Sequence, residues 1–286
     1  MKVNSLKHDD PDFPDLLRRI PSPPQELFWT GTHPSEFLDK PRVAIVGSRK
    51  VTGYGKQVTQ QMAGELARAG IVIISGLALG VDAIAHQAVI DAGGLTIAVL
   101  PTSLDQIYPP SHLNLARQIV DTGGCLLSEY RAGSAVYKTN FTARNRIVSG
   151  LSNVLLITEA AKNSGTMHTA GFALEQGRTV MAVPGNINSP GSEGCNNLIK
   201  TGAVPVTDTS DVFFALGLDP SAPKQTKIFR GADNEQKIFD LIRRGIFDQE
   251  ELAQAARLDG PALSAALTML EINGYIRAEG GNWTLA

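Results

Sequence analysis

The stretch VAIVGSRKVTGYGKQVTQQMAGELARAGIVIIS, residues 43–75, decides the fold class of the chain. It begins with the short apolar run VAIVG, continues with a segment of helical spacing that ends at Gly70, and finishes with the β-branched run IVIIS. Nearly continuous apolar runs bounded by glycine are typical of strands that are buried on both faces of a parallel sheet. Two such strands joined by a helix predict a βαβ unit.

The same pattern recurs along residues 42–216. Four more apolar runs follow: LTIAVL (95–100), CLLSE (125–129), NVLLITE (153–159) and TVMAVPG (179–185). Because repeated strand–helix units place helices on both faces of a parallel sheet, the sequence predicts an α/β fold with a doubly wound, mostly parallel sheet.

The two ends of the chain differ from this central part. Residues 1–41 carry seven of the 16 prolines and predict an N-terminal arm, a short helix followed by extended chain, that packs on the main domain. Residues 217–230 predict a polar linker. Residues 231–286 predict three short helices and a hairpin around a Gly-Gly turn, which is the winged-helix arrangement.

Charge and composition restrict the kind of partner. The 286 residues hold 26 Lys plus Arg against 28 Asp plus Glu, so a site for a polyanion has to be a local patch. Two cysteines form neither a disulfide framework nor a zinc site. No apolar run has the length of a signal peptide or a membrane span, so we expect a cytoplasmic protein with no membrane contact.

The turns after the strands are the expected binding positions, because ligands of such sheets lie beyond the carboxyl ends of the strands. Gly47, Ser48 and Arg49 follow the first strand, and the segment SGT, residues 164–166, opens a helix after the fifth. Neither GxGxxG nor GxxxxGK[ST] occurs, so the sequence predicts no nucleotide cofactor. A tight strand–helix connection without a ligand explains each turn equally well when it is taken alone.

The segment KTNFTARNRI, residues 138–147, follows the fourth strand and therefore belongs to the same edge of the sheet. On a helix, Phe141, Arg144 and Asn145 share one side, whereas Arg146 points elsewhere. Cations that follow a phosphate backbone and a ring that stacks on a base suit a single strand of nucleic acid. The competing interpretation is that Phe141 belongs to the core and that the arginines bind carbonyl groups of their own loop.

These segments together resemble the DNA-processing protein A family, also called DprA or Smf. The resemblance covers residues 42–203 and is carried by GSRKVTGYG, SGLALGVD, LPTSLDQIYPP, LLSEY, NFTARNRIVSGLS, EAAKNSGTMHTAGFALEQGR and VPGNINSPGSEGCNNLIKTGA. It implies an extended Rossmann-like domain, without enzymatic activity or cofactor, that binds single-stranded DNA and forms a homodimer. It also implies protection of incoming DNA and help in loading the RecA recombinase during natural transformation.

The resemblance also implies which residues contact the nucleic acid. They are Gly47, Ser48, Arg49, Lys138, Phe141, Asn145, Arg146, Ser164, Gly165 and Thr166, and Arg144 joins them from its place in the same motif. Many members begin with an additional helical domain, for which this chain lacks room. No residues of a dimer contact or a recombinase contact are carried over.

The C-terminal domain does not have the composition of a duplex-binding module. From Lys224 onward it holds eight Lys plus Arg and nine Asp plus Glu, a balance of −1, and its third helix, PALSAALTMLEING, has no cation. Because duplex binding depends on neutralising phosphates, we expect this domain to contact protein rather than duplex DNA.

A small-molecule nucleotide hydrolase, similar to the lysine-decarboxylase-like family, is the alternative function. Its candidate catalytic residues are Asp82 and His86 at i, i+4 spacing, together with Glu159 and His168. The competing interpretation is that Asp82 caps the helix that begins near Val81, that His86 is packed, and that Glu159 anchors the adjacent loop. The PGGxGT signature of that family is missing, and NSGT occupies the comparable turn.

Overall fold

The computed structural model of the chain describes residues 2–218, 233–243, 246–273, 275–279 and 282–285. The chain divides into two compact units, Met1–Ala222 and Pro223–Ala286, and each is described by itself. The linker predicted at residues 217–230 lies outside the described residues from position 219 onward.

The first unit is built on one nine-stranded sheet. Its strands are β1 (Asn4–Lys7), β2 (Glu26–Gly31), β3 (Arg42–Val46), β4 (Val72–Ser75), β5 (Thr96–Val99), β6 (Cys125–Ser128), β7 (Val154–Ile157), β8 (Thr179–Ala182) and β9 (Val204–Pro205). The spatial order is β1-β2-β6-β5-β4-β3-β7-β8-β9, and every pair from β6 to β9 is parallel. The predicted doubly wound, mostly parallel sheet is confirmed.

Helices cover both faces of this sheet. They are α1 (Asp15–Arg18), α2 (Gly53–Arg68), α3 (Val81–Asp91), α4 (Leu113–Asp121), α5 (Lys138–Gly150), α6 (Thr166–Glu175), α7 (Glu193–Lys200) and α8 (Thr209–Ala215). Alternate residues of β3 belong to different cores, with Val43 and Ile45 in one and Ala44 and Val46 in the other. The continuous apolar run of this strand therefore arises because both of its faces are buried.

The N-terminal segment contributes strands to the sheet itself. Strand β2 pairs antiparallel with β6, and β1 pairs antiparallel with β2. Phe13, Leu17 and Ile20 are buried in the same core as Ala44 and Val46, whereas Leu16 is only partly buried. The predicted short helix is present as α1, but two strands flank it. Strand β2 covers the edge of β6, whose backbone groups would otherwise lack partners, and β1 in turn covers β2.

The winding of the sheet changes direction between β3 and β7. The chain moves from β3 through β4 and β5 to β6 on one side, and from β7 through β8 to β9 on the other. At such a switch point the loops diverge and leave a crevice at the carboxyl edge of the sheet. Helices α2 and α6 begin at this edge, as does α5 after β6.

The second unit has three helices and a hairpin, α9 (Asp233–Arg243), α10 (Gln249–Ala256), α11 (Gly260–Ile272), β10 (Ile276–Glu279) and β11 (Asn282–Leu285). The predicted winged-helix arrangement is confirmed, and the side chain of Asp248 caps α10 by accepting from the N–H groups of Glu250 and Glu251. The predicted Gly-Gly turn, residues 280–281, lies outside the described residues. In the described parts of both units, every helix is too short or too polar to cross a membrane.

Candidate nucleic-acid interface

The turns after β3, β4 and β7 are bonded to one another at the carboxyl edge of the sheet. The N–H of Ser48 donates to the carbonyl of Glu159 at 2.7 Å, and the carbonyl of Ser48 accepts from the N–H of Val81 at 3.1 Å. A Cβ atom on Gly47 would lie 2.6 Å from the Glu159 carbonyl oxygen, and one on Gly80 would lie 2.2 Å from that of Ser48. Both glycines are therefore required by the close approach of these backbones.

A small open pocket lies beside these turns. The guanidinium carbon of Arg49 lies 5.9 Å from the ring centroid of Phe141, and the ring of Tyr108 meets that of Phe141 edge to face at 5.0 Å between centroids. Leu79 and Pro101 complete the apolar wall. Flat rings together with a guanidinium form a surface on which a nucleobase can stack.

Two exposed cations accompany the pocket: Arg49 lines it, and Lys138 lies three residues before Phe141 on α5. Arg49 and Lys138 are exposed, and neither takes part in the four ion pairs found among the described residues. Lys138 is the first residue of α5, whose N-terminus has no side-chain cap and no acid in its first turn. The free N–H groups of that turn add to the positive charge. We refer to Arg49, Lys138 and Phe141 as the rim.

Arg144 lies below the rim, where it is only 4% exposed. Its Nη1 donates to the carbonyl oxygens of Gly76 and Val99, at the ends of β4 and β5. Burial lowers its pKa to about 10, and the charge of Asp82 acts in the opposite direction. The guanidinium therefore stays charged at neutral pH, lines the pocket and holds two strand ends together.

The remaining two residues of the segment have partners within the protein. Arg146 forms an ion pair with Glu129, at 3.0 Å from Nη1 and 2.6 Å from Nη2, and its Nε donates to the carbonyl of Ser22. The side-chain oxygen of Asn145 accepts from Nε of Arg144 at 3.2 Å. The structure thus separates the three arginines of the predicted site, because only Arg49 keeps its guanidinium free.

The turn after β7 has the features of a phosphate site. Gly165 is exposed and immediately precedes α6, which has no side-chain cap and no acid in its first turn. The hydroxyl of Ser164 is buried and has no hydrogen-bond partner, and Thr166 is buried at the start of the helix. The N–H groups of Met167 and His168 donate to the carbonyls of Ser164 and Gly165, so the N–H groups of Gly165 and Thr166, for which the described residues provide no acceptor, are the ones available to an anion.

Asp82 and His86, the acid–base pair of the alternative function, are both buried, and each is bonded to a different part of the protein. The carboxylate of Asp82 accepts from the N–H groups of Gly76 and Ala78, at 3.0 and 3.3 Å, and burial raises its pKa. It therefore holds the turn before α3 rather than capping that helix. Nδ1 of His86 bonds the hydroxyl of Thr96 at 2.7 Å, and burial lowers the pKa of His86 to about 3. We refer to Asp82, His86 and Arg144 as the buried polar cluster.

The other two candidates are also placed differently from a catalytic pair. Glu159 is buried and accepts from the N–H and the hydroxyl of Thr52, so it anchors the loop before α2. His168 is exposed on α6. In the described part of the chain, no group of three or more His, Cys, Asp or Glu side chains could hold a metal ion.

Sequence reasoning did not single out Tyr108 and Leu79 as site residues. Both are about half exposed and line the pocket. Tyr108 follows β5 and Leu79 follows β4, so the rule that places ligands beyond the carboxyl ends of strands could have found them.

The chain is similar to known proteins over most of its length. The family model of DNA recombination-mediator protein A matches residues 4–217, and that of the DprA winged helix domain matches residues 219–282. Protein Smf of Synechocystis is 42% identical over 85% of this chain, and Protein Smf of Escherichia coli is 36% identical over 96%. The chain spans 60% of the length of the Synechocystis relative and 75% of that of the E. coli relative.

Solved structures give the same result. The X-ray structure of DprA from Streptococcus pneumoniae matches with a TM-score of 0.69 at 38% identity, over 75% of this chain and 74% of that one. DNA processing protein A from Helicobacter pylori, in a structure that concerns its single-stranded DNA binding mode, matches with a TM-score of 0.67 at 35% identity, over 76% and 96% of the two chains. With both of its units matched by family models, the chain belongs to the DNA recombination-mediator protein A (DprA/Smf) family.

Proposed function

We propose that this protein binds single-stranded DNA along the rim. The observation that carries the proposal is the pair of exposed cations, Arg49 and Lys138, which form no ion pair among the described residues and accompany the aromatic pocket of Phe141 and Tyr108. The proposed site residues are Gly47, Ser48, Arg49, Lys138, Phe141, Arg144, Asn145, Arg146, Ser164, Gly165 and Thr166. Among them, the buried Arg144 and the paired Arg146 act by positioning the others, because their guanidinium groups already donate to protein oxygens.

The family suggests the cellular role. We propose that the protein is a cytoplasmic homodimer that protects incoming DNA and helps to load the RecA recombinase in natural transformation, and that it acts as a binding protein and not as an enzyme. The single-stranded DNA binding described for the Helicobacter pylori relative supports the choice of ligand. Residues 42–216 would bind the DNA, with residues 1–41 as an arm.

For the winged-helix domain, residues 231–286 beyond the linker 217–230, we propose contact with protein rather than duplex DNA. Helix α11 has no Lys or Arg, and its exposed side chains include Met269 and Ile272. A helix without cations gives little phosphate neutralisation, on which duplex binding depends.

Fluorescence anisotropy with labelled oligonucleotides tests the ligand and the surface together. We expect the single strand to bind more tightly than the duplex, with a log–log salt slope near −3 if about four phosphates are neutralised. Arg49→Ala should weaken binding to single strands of every sequence. Arg68→Ala is the matched control, because it removes the same charge from the exposed last turn of α2, at the opposite edge of the sheet. Equal affinity of wild type and Arg49→Ala would contradict the proposal.

The recombinase role needs a separate measurement. On single-stranded DNA covered by a competing single-strand-binding protein, we expect the wild type to shorten the lag before RecA hydrolyses ATP. At the same concentration, Arg49→Ala should shorten the lag less than the wild type does, because it holds the strand more weakly. A lag that is the same with and without the wild-type protein would contradict the loading role while leaving DNA binding intact.

A further inference from the structure

The switch-point crevice between β3 and β7 is filled by a side chain of the protein. In doubly wound sheets a ligand phosphate binds in this crevice, against the N-terminus of the helix that follows the first parallel strand. In this protein that strand is β3 and that helix is α2. Glu159, only 3% exposed, extends its carboxylate to this position. Its Oε2 accepts from the N–H of Thr52 at 3.0 Å and from the hydroxyl of Thr52 at 2.9 Å.

The backbone encloses this carboxylate from two sides. A Cβ atom on Gly55, in the first turn of α2, would lie 1.7 Å from Oε2 of Glu159. One on Gly191, in the loop after β8, would lie 2.6 Å from Oε1. The hydroxyl of Tyr54 donates to the carbonyl of Pro184 at 2.7 Å and so joins α2 to that loop. The carboxylate therefore fits a closed space with no room for a second anion.

The donors that hold the carboxylate are the ones a phosphate would use. None of the four ion pairs among the described residues includes Glu159. Its carboxylate is held by the N–H and hydroxyl of Thr52 at the start of α2, the kind of donor set that binds phosphate oxygens in other folds of this type.

We propose that Glu159 substitutes for a ligand phosphate inside the protein and excludes inorganic phosphate and free nucleotides from the crevice. It is a specificity-determining residue, because phosphate groups are then left to the rim and to the turn before α6. The inference does not depend on the proposed function, since the crevice is closed whether or not DNA binds at the rim.

The first test is NMR of isotopically labelled protein titrated with inorganic phosphate and with adenosine monophosphate. The readout is the backbone amide of Thr52, while the amides of Arg49 and Lys138 report binding at the rim separately. In wild type we expect no saturable shift at Thr52. In Glu159→Ala, we expect a saturable shift with both probes, because the donors are free and the space is empty.

Glu159→Gln is the matched control, since it removes the charge and keeps the shape. We expect it to remain silent at Thr52, and to show only the general salt effect of phosphate on melting temperature. Phosphate should raise the melting temperature of Glu159→Ala beyond that effect, because binding to the native state stabilises it. A saturable shift at Thr52 in wild type, or a folded Glu159→Ala that does not respond, would overturn the proposal.

A second pair of variants tests the closed space even if Glu159→Ala alone does not fold. Gly55→Ala should lower the melting temperature strongly, because its methyl group collides with the carboxylate. The double variant Gly55→Ala/Glu159→Ala should melt higher than Gly55→Ala, since the methyl group then fills the vacated space, and it should not respond to phosphate at Thr52. A double variant that melts at or below the temperature of Gly55→Ala would count against the proposal.

Discussion

The rim and the buried polar cluster each contain an arginine, which is exposed in the rim and enclosed in the buried polar cluster. Arg49 is exposed, has no ion pair among the described residues, and lies over the ring of Phe141. Arg144 lines the same pocket from below, is enclosed, and donates to the carbonyl oxygens of two strand ends. The charge of Arg49 also lowers the pKa of Arg144, although burial is the larger cause.

This contrast separates binding from folding within one small region. A cation that keeps its donors free can offer them to a ligand, whereas one that has given them to carbonyl groups stabilises the fold instead. Substitution of the two rim cations should therefore change affinity and leave stability nearly unaltered. Substitutions in the buried polar cluster should mainly change stability.

The largest effect is expected for Arg144→Ala. The variant leaves the carbonyl groups of Gly76 and Val99 without their donor and leaves Asp82 buried without the nearby positive charge. We expect the free energy of unfolding to fall by about 3–5 kcal/mol, measured by urea denaturation. Arg49→Ala, as the exposed counterpart, should change it by less than about 0.5 kcal/mol. Equal stability losses in the two variants would contradict the distinction between a structural Arg144 and a ligand-binding Arg49.

The next effect is on affinity, in the double variant Arg49→Ala/Lys138→Ala. Each cation should contribute about 1.5 kcal/mol through charge-assisted contacts with phosphate, so single-stranded DNA should bind roughly a hundredfold more weakly. The log–log salt slope should become shallower by about 1.4. Anisotropy at several salt concentrations measures both quantities. An unchanged salt slope would show that these two side chains do not contact phosphate.

Phe141→Ala should weaken single-strand binding by about 1–3 kcal/mol with no change in salt slope, because stacking on a base does not release counterions. The control is Phe214→Ala on α8, which removes a ring that is 86% exposed. The same anisotropy titrations compare the two variants. A loss of affinity that is equal in both would assign the effect to something other than stacking at the rim.

His86 should make the stability of the protein depend on pH. Its pKa is about 3 in the folded chain and 6.5 in the reference state, because burial disfavours the charged imidazole. Below pH 6.5 the unfolded chain therefore binds a proton that the folded chain does not, so this contribution to stability is complete above pH 6.5 and declines as the pH falls toward 3. Between pH 6.5 and 5.5 the loss of stability from this group amounts to about 1 kcal/mol, because the unfolded imidazole is already half protonated at pH 6.5.

The measurement is urea denaturation at both pH values for wild type and for His86→Gln, which keeps a donor toward Thr96. The wild type should lose more stability than the variant over this interval. Identical losses would mean that burial does not lower the pKa of His86 in the folded protein.

The smallest effect is expected on α11 of the winged-helix unit. Met269→Ser/Ile272→Ser changes its exposed apolar side chains, and we expect the affinities for single-stranded and duplex DNA to stay within about twofold of wild type. A tenfold loss of duplex binding would instead make this helix a second DNA-binding surface.

Local sequence patterns predicted the parallel sheet, the helices between its strands, the three helices of the C-terminal unit, and the turns that surround the pocket. These features depend on residue spacing and on nearby glycine, so they can be identified in short segments. The same spacing placed Phe141, Arg144 and Asn145 on one side of a helix. The addition of β1 and β2 to the sheet was not predicted, because the edge they cover belongs to a strand about a hundred residues away.

The sequence by itself determined which elements form and which loops meet at the carboxyl edge of the sheet. Only the tertiary structure decided which arginine remains free, because the partners of Arg144 lie 68 and 45 positions away and that of Arg146 lies 17 away. It also decided that Glu159 fills the switch-point crevice, since the Thr52 donors are 107 positions distant. Helical spacing fixes the direction of a side chain, but the groups opposite it depend on long-range packing.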